Sequence, residues 1–385
     1  MGERKRIGLV FSYNENWIAG AYYILNIVHA LNTINDKEKP EVTILSESEN
    51  NFDIIVKETQ YPYLNFIAFP LEKIKFSILE RVINKLSFVI LKKKLITKNN
   101  NIPQLDFTYP KQLYLISKKI KKVNWIPDFQ EDYLPQFFSE EEILKRKRFQ
   151  KNVIANGDFV VLSSHDAKSD FVRLYPSAKS KPFVLQFAVT HPDFLHENIE
   201  DLKLKYKLNK PYFFAPNQFW AHKNHIILLK AVKCLKDNGI DVLVAMSGKE
   251  NDYRNKENFK KLKDYIKENL IEDNVVFLGF LPRTEQLCLF KNCIAVIQPS
   301  LFEGWSTVVE DAKRLNKFLI LSNLEVHKEQ VLENVMFFNP CSVSDLAHAI
   351  ESVNKKLPLI KSPNYKSNVE RFGKDFMKLV NLATI

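Results

Sequence analysis

The chain has 385 residues, of which 45% are hydrophobic and 26% are charged. This length allows two domains of ordinary size, and the composition excludes large-scale disorder. No stretch reaches the roughly 18 uninterrupted apolar residues that span a bilayer, and the sequence begins without the apolar segment of a secretory signal. We therefore expect a cytoplasmic protein.

The formal net charge is +11, which allows an anionic partner without identifying it. Much of the excess lies in residues 73–98, where eight Lys and Arg residues stand against one Glu. The four cysteines are scattered, with no neighbouring His or Cys in metal-ligand order. We expect neither a metal site nor a cofactor.

In the first half of the chain, apolar patterns typical of strands alternate with patterns typical of helices. Strands are predicted at 7–11, 42–45, 123–126 and 159–162, and helices at 21–34, 54–59, 139–154 and 167–174. Such alternation predicts a mostly parallel sheet with helices on both faces.

The alternation restarts after about residue 190. Further strands are predicted at 212–215, 242–246, 275–278, 295–298, 318–322 and 335–338, followed by a last helix at 366–382. Two such series predict an α/β protein with two doubly wound, Rossmann-like domains. We place their bounds at 1–190 and 191–365, with a terminal helical segment at 366–385.

Residues 299–311 are the most informative segment of the chain. Glu303 precedes a turn, and Asp311 lies eight residues later in a predicted helix. The N–H groups of the helix start, around Ser306 and Thr307, attract phosphates, and the carboxylates can accept hydrogen bonds from sugar hydroxyls. Capping and dipole compensation would explain the same residues. A strand is predicted just before, however, and open α/β sheets bind ligands at the carboxyl ends of strands.

This segment resembles the donor-site signature of family-4 glycosyltransferases, in which a Glu and a second carboxylate eight residues later follow Pro-Ser. Glu303 matches the first carboxylate, and Asp311 matches the second with a shorter side chain than the usual Glu. The resemblance implies the GT-B fold, with a cleft between the domains and a C-terminal helix that crosses back to the first one. It also implies a nucleotide-sugar substrate, retention of anomeric configuration and no obligatory metal. Gly304, Ser306 and Thr307 would then contact the donor.

The resemblance extends to residues 217–225, between the first strand and the first helix of the second domain. Lys223 matches the family's phosphate-binding lysine, and its ammonium can neutralise a leaving diphosphate. Gln218 stands where the family commonly has an arginine. His222 and His225 could be interpreted as metal ligands, but their place at a helix entry favours hydrogen bonding or packing.

On the first-domain side, three residues are candidates. Gly20, just before the first predicted helix, matches the second of two adjacent glycines in related glycosyltransferases and would let that loop approach the donor phosphates. A simple turn glycine is the alternative. Asp128 and Glu131 lie in an acidic loop after a strand, where either could orient an acceptor hydroxyl or simply be solvated.

The run Ser164-His-Asp166 invites a hydrolase interpretation. A catalytic triad, however, brings together side chains from separate elements, and adjacent residues at a helix start do not meet in that way. We predict instead that Ser164 is a helix N-cap.

Residues 73–98 also contain an amphipathic pattern. Six apolar residues recur there with the helical period, namely Leu79, Val82, Ile83, Leu86, Val89 and Ile90. A helix of this kind can lie on an anionic membrane surface, or it can pack its apolar face on the domain and leave its lysines in water. Nucleic-acid binding is not expected, because no recognisable reading module accompanies the charge.

These observations predict a glycosyltransferase that moves a sugar from a UDP- or GDP-sugar to a glycan or lipid-linked acceptor in the synthesis of surface polysaccharide or lipopolysaccharide. Lys223 and Glu303 are the expected catalytic residues. A peripheral position on the inner face of the cytoplasmic membrane would bring such an enzyme to its acceptor. A non-catalytic scaffold of the same fold and a nucleotide-sugar epimerase are the alternatives.

Overall fold

The computed structural model describes residues 3–13, 18–70, 77–93, 95–96, 104–110 and 121–384. The elements of the N-terminal domain are β1 (Arg6–Val10), α1 (Ile18–Asn32), β2 (Glu41–Ser46), α2 (Glu49–Thr59), β3 (Leu64–Ala68), α3 (Ile78–Leu91), β4 (Phe107–Tyr109), β5 (Val123–Ile126), α4 (Gln130–Tyr133), α5 (Glu140–Asn156), β6 (Phe159–Leu162), α6 (His165–Leu174) and β7 (Lys181–Val184).

The strands of this domain form two parallel sheets, ordered β3-β2-β1-β4 and β5-β6-β7. The backbone N–H of Trp125 donates to the carbonyl of Pro110 at 3.0 Å, which joins the two sheets edge to edge. Ile7 and Leu9, on one face of β1, are fully buried. A Cβ on Gly8, on the other face, would lie 2.7 Å from the Leu105 side chain, so the strand is covered on both faces. The predicted parallel sheet is confirmed, although β3, β4 and β7 were not predicted.

The C-terminal domain follows the same plan. Its elements are α7 (Ile199–Lys205), β8 (Phe213–Ala215), α8 (His225–Asp237), β9 (Val244–Met246), α9 (Asn258–Glu268), β10 (Val275–Phe277), α10 (Arg283–Asn292), β11 (Val296–Gln298), α11 (Thr307–Arg314), β12 (Leu319–Ser322), α12 (Glu325–Gln330), β13 (Val335–Phe338), α13 (Val343–Lys355) and α14 (Lys366–Ala383). Its six strands are parallel in the order β10-β9-β8-β11-β12-β13. The strand order reverses direction between β8 and β11, and ligands of open α/β sheets bind at such a switch point.

Helix α14 crosses back to the N-terminal domain, as predicted. Phe372, Phe376 and Val380 are buried in the core of that domain. Gly373 lies where α14 meets α1: a Cβ atom there would come 2.4 Å from the carbonyl oxygen of Ala30. The close contact of the two helices therefore requires glycine at this position.

Helix α3 exposes much of its apolar pattern in the structure. Its polar residues Asn84 and Ser87 are buried, whereas Leu79, Leu86 and Val89 are 71%, 58% and 66% exposed. The apolar stripe therefore does not pack on the described part of the domain. Lys73, Lys75, Lys94 and Lys98 lie outside the described residues. Among the residues that the structure describes, no helix is long and apolar enough to cross a membrane.

Candidate active site

The loop after β11 is held in place by side-chain hydrogen bonds. Ser306 caps α11, its Oγ accepting from the N–H of Val309 at 3.4 Å. The buried amide of Gln298 donates to Ser306 Oγ at 2.8 Å and to Glu303 Oε1 at 2.6 Å. From α12, Gln330 accepts from the Ser306 N–H at 3.1 Å and donates to its carbonyl at 2.8 Å. The segment from Glu303 to the helix start is therefore pre-organised.

Lys223 and Glu303 meet in this site. The ammonium of Lys223 lies 2.6 Å from Glu303 Oε1, and the two side chains are only 19% and 9% exposed. Burial alone would raise the pKa of Glu303, but the charge and hydrogen bond of Lys223, together with His327 and His222, lower the pKa to about 2. Glu303 is therefore a carboxylate at neutral pH. Such a weak base accepts hydrogen bonds rather than taking protons.

Asp311 is buried where three segments converge. Its Oδ1 lies 2.9 Å from Nε2 of His191 and accepts a hydrogen bond from Arg283. Burial would raise the pKa of Asp311, but Arg283 and His191 together lower it. The guanidinium of Arg283 in turn lies 5.2 Å from the ring centroid of Tyr22, on α1 of the other domain. Sequence spacing identified Asp311 but gave no signal for His191 or Arg283.

Several buried polar atoms of the C-terminal domain have no hydrogen-bond partner among the described residues. They are Asn217 Nδ2, Ser247 Oγ, Gln298 Oε1, Ser300 Oγ and His327 Nε2. All but His327 lie at or just beyond the carboxyl ends of β8, β9 and β11. A buried polar group without a partner costs about 1–3 kcal/mol. A polar ligand at the switch point would satisfy such groups.

The C-terminal half of the chain is similar to a known protein family. Residues 198–368 match the model of the family Glycosyl transferases group 1. The match covers most of the C-terminal domain. The O-antigen chain mannosyltransferase RfbU of Salmonella typhimurium is 25% identical over 219 residues, which are 57% of each chain. The chain therefore matches just over half the length of this curated relative.

Solved structures show the fold over the whole chain. A glycosyltransferase from Rickettsia africae superposes with a TM-score of 0.60 at 15% identity, covering 100% of this chain and 95% of its own. Anabaena HepE in complex with UDP and glucose superposes with a TM-score of 0.62 at 13% identity, covering 99% and 96%. The protein has the predicted GT-B fold.

Asp128 and Glu131, the two candidates in the acidic loop, have different surroundings in the structure. Gly304 faces the acidic loop, since a Cβ on it would lie 2.6 Å from the carbonyl oxygen of Pro127 and 3.0 Å from Cβ of Asp128. Asp128 therefore borders the C-terminal domain. The Glu131 side chain has no exposed surface, and Arg146 and Gln150 each donate to it at 2.6 Å. Its position is that of a structural residue, with no surface for an acceptor to contact.

Gly20 and Ser164 were both expected near the start of a helix. Gly20 lies in the first turn of α1, because that helix begins three residues earlier than predicted. Ser164 is an N-cap as predicted, accepting from the N–H of Ala167 at 3.0 Å. Glu329 of the C-terminal domain accepts from the next two N–H groups of α6, at 2.7 and 3.0 Å, and so links the domains.

The loop of Lys223 contains the remaining candidates. Gln218 is half-buried at its beginning. Burial, followed by the charge of Lys223, lowers the pKa of both His222 and His225 to about 3, so both imidazoles are neutral. In the described part of the chain, no three His, Cys, Asp or Glu residues are grouped as metal ligands.

Proposed function

We propose that this protein is a retaining glycosyltransferase that transfers a sugar from a nucleotide-sugar to a glycan or lipid-linked acceptor of a surface polysaccharide. The observation that carries the proposal is the buried pair of Lys223 and Glu303 at the switch point of a glycosyl transferases group 1 domain. RfbU, by its name, adds mannose to O-antigen, and HepE binds UDP and glucose. Both support the substrate class.

In this proposal Lys223 exchanges part of its contact with Glu303 for the donor diphosphate. Its ammonium stabilises the negative charge that grows on the leaving group as the glycosidic bond breaks. The backbone N–H groups near Ser306 and Thr307, at the start of α11, supply further positive potential without a metal ion. Gln218 and Gly20 border the phosphates from the two domains.

The carboxylates orient the rest of the donor. Glu303, ionised at neutral pH, accepts hydrogen bonds from the sugar hydroxyls. Gly304 lets this loop approach Pro127 of the N-terminal domain closely. Asp311 accepts from the ribose hydroxyls through the oxygen that Arg283 and His191 do not occupy. Asp128, at the facing edge of the cleft, contacts the acceptor.

The direct test is calorimetry and donor turnover with a panel of UDP- and GDP-sugars. We expect one donor to bind and to be hydrolysed slowly when no acceptor is present. Absence of binding to every nucleotide by folded protein would contradict the proposal and favour a scaffold. Conversion of the donor to an isomeric nucleotide-sugar would identify an epimerase instead.

We also propose that α3 brings the enzyme to its acceptor at an anionic membrane. Its outward side combines the apolar residues Leu79, Leu86 and Val89 with the exposed Lys85 and Lys92. Apolar burial together with attraction to acidic headgroups is the usual basis of interfacial binding by a helix. A cytoplasmic enzyme that docks in this way reaches lipid-linked acceptors.

A further inference from the structure

A cavity of about 150 Å³ lies between the two domains, beside the loop that carries Lys223. Gln136 and Phe137 line it from the N-terminal domain. Trp220, His222 and Asn255 belong to its other wall, in the C-terminal domain. Both domains therefore contribute to the wall of this cavity.

The charged groups at this cavity are already engaged. Asp252 is buried and accepts from three backbone N–H groups of its surrounding loops, at 2.9, 3.0 and 3.2 Å. Nε of Arg254 donates to Glu142 Oε1 at 3.0 Å, and its guanidinium lies 4.1 Å from the ring centroid of Phe138 and 5.0 Å from that of Trp220. The cavity therefore offers no uncompensated charge to an ionic ligand.

The remaining lining is aromatic and neutral-polar. The rings of Trp220 and Phe137 provide apolar surface. The side-chain amides of Gln136 and Asn255 also belong to the lining, and each can donate and accept at once. His222 adds a neutral imidazole, because burial lowers its pKa. Apolar walls with a few convergent polar groups are typical of ligand sites.

The chemistry of a sugar matches this aromatic and neutral-polar lining. Neighbouring hydroxyls of a pyranose pair with an amide as donor and acceptor, and the C–H face of the ring packs on an aromatic side chain. An acidic sugar would need a free cation here, and Arg254 is already paired with Glu142. The lining therefore fits an uncharged pyranose better than a uronic acid.

We propose that this cavity binds an uncharged sugar residue of the acceptor. The inference rests on the proposed function, in which the donor occupies the Lys223–Glu303 pair and the start of α11. No residue of the segment 298–311, which contains Glu303 and the start of α11, lines the cavity. The cavity is therefore available to the acceptor. It borders the reacting centre, since the carbonyl of His222 accepts from the N–H of Leu301 at 2.8 Å.

The test is saturation-transfer NMR with the methyl α-glycosides of mannose, glucose, galactose and glucuronic acid, in the presence of UDP or GDP. We expect at least one neutral glycoside to bind and the glucuronide not to bind. Asn255→Ala and Gln136→Ala should each weaken binding about fivefold, as expected for one lost hydrogen bond. Asn251→Ala, an exposed asparagine on the same loop, is the matched control and should bind as the wild type does.

The inference is overturned if no neutral glycoside binds, if the glucuronide binds equally well, or if both alanine variants bind normally. Calorimetry with UDP and GDP separates this result from the proposed function. Nucleotide binding without glycoside binding overturns the cavity alone. Glycoside binding that Asn255→Ala weakens, without any nucleotide binding, would locate a sugar site in the cavity but overturn the proposed function and, with it, the cavity's role as an acceptor site.

Discussion

Lys223 and Glu303 are 80 residues apart in the sequence, yet their charged groups lie 2.6 Å from each other below the cleft. The short helical turn after β8 supplies the ammonium, and the loop after β11 supplies the carboxylate. Each residue is the main counter-charge of the other. A change to either one should therefore affect both turnover and stability, and a double variant should separate the two effects.

Replacing Lys223 by Met should reduce sugar transfer about 10²- to 10³-fold, because the charge that stabilises the leaving diphosphate is lost. The same change leaves Glu303 buried without its partner and should lower the free energy of unfolding by about 3–5 kcal/mol. Adding Glu303→Gln should recover much of that stability while transfer stays low. Turnover and chemical denaturation are measured on all three variants.

Lys230→Ala is the matched control, since Lys230 is exposed on the following helix α8. It should retain both wild-type turnover and wild-type stability. If Lys223→Met transferred sugar as fast as this control, Lys223 would have no role in the reaction.

Glu303 should also contribute to the dependence of stability on pH. Its pKa falls from 4.5 to about 2 on folding, so the ionised group stabilises the fold above about pH 4.5. This contribution, of about 3 kcal/mol, is lost as the pH falls from about 5 to 2. Urea denaturation across this range should show a shallower loss of stability in Glu303→Gln than in the wild type. Glu325→Gln, at an exposed glutamate, should follow the wild-type curve.

Arg283 and Asp311 should be strongly coupled energetically. Arg283→Met leaves a buried carboxylate with only His191 and should lower the free energy of unfolding by about 3–5 kcal/mol. Asp311→Asn in the same chain removes that unpaired charge, so the double variant should be more stable than the sum of the two changes predicts. A double-mutant cycle by chemical denaturation should give a coupling of about 1–3 kcal/mol. Strict additivity would show that the ion pair contributes little.

Glu142 should hold the cleft closed. Its Oε1 accepts from Arg254 at 3.0 Å and from the hydroxyl of Tyr253 at 2.9 Å, both across the domain interface. Glu142→Ala should increase the radius of gyration in small-angle scattering and slow transfer. Glu142 also forms a capping box with Ser139. Ser139→Ala removes the cap, at a cost of about 1 kcal/mol, but should leave scattering and transfer rate unchanged.

The outward face of α3 should bind anionic membranes. Replacing Leu79, Leu86 and Val89 together by Ser should abolish sedimentation with phosphatidylglycerol vesicles, because the buried apolar area is lost. Binding of the wild type should weaken as salt rises, since the lysines on the helix act through screened charge. Leu204→Ser changes an 81% exposed leucine in the other domain and should not affect sedimentation. Equal sedimentation of the triple variant and wild type would exclude α3 as the docking site.

The sequence by itself determined the parallel α/β architecture and one linear part of the site. Strand and helix periods depend on neighbours two to four residues away, so most elements could be predicted from local pattern. Glu303, Ser306 and Asp311 could be found because one loop and one helix start hold them. The three-residue β4 and the half-exposed β3 gave too little pattern to be recognised.

Only the tertiary structure decided which distant side chains meet. The contacts of Asp311 with His191 and Arg283 span 120 and 28 residues, and no local spacing encodes them. The same holds for the inaccessible position of Glu131. The amphipathic period of α3 fixed the helix but not which side faces the domain. That choice depends on what the rest of the chain packs against it, and here the buried side is the one with Asn84 and Ser87.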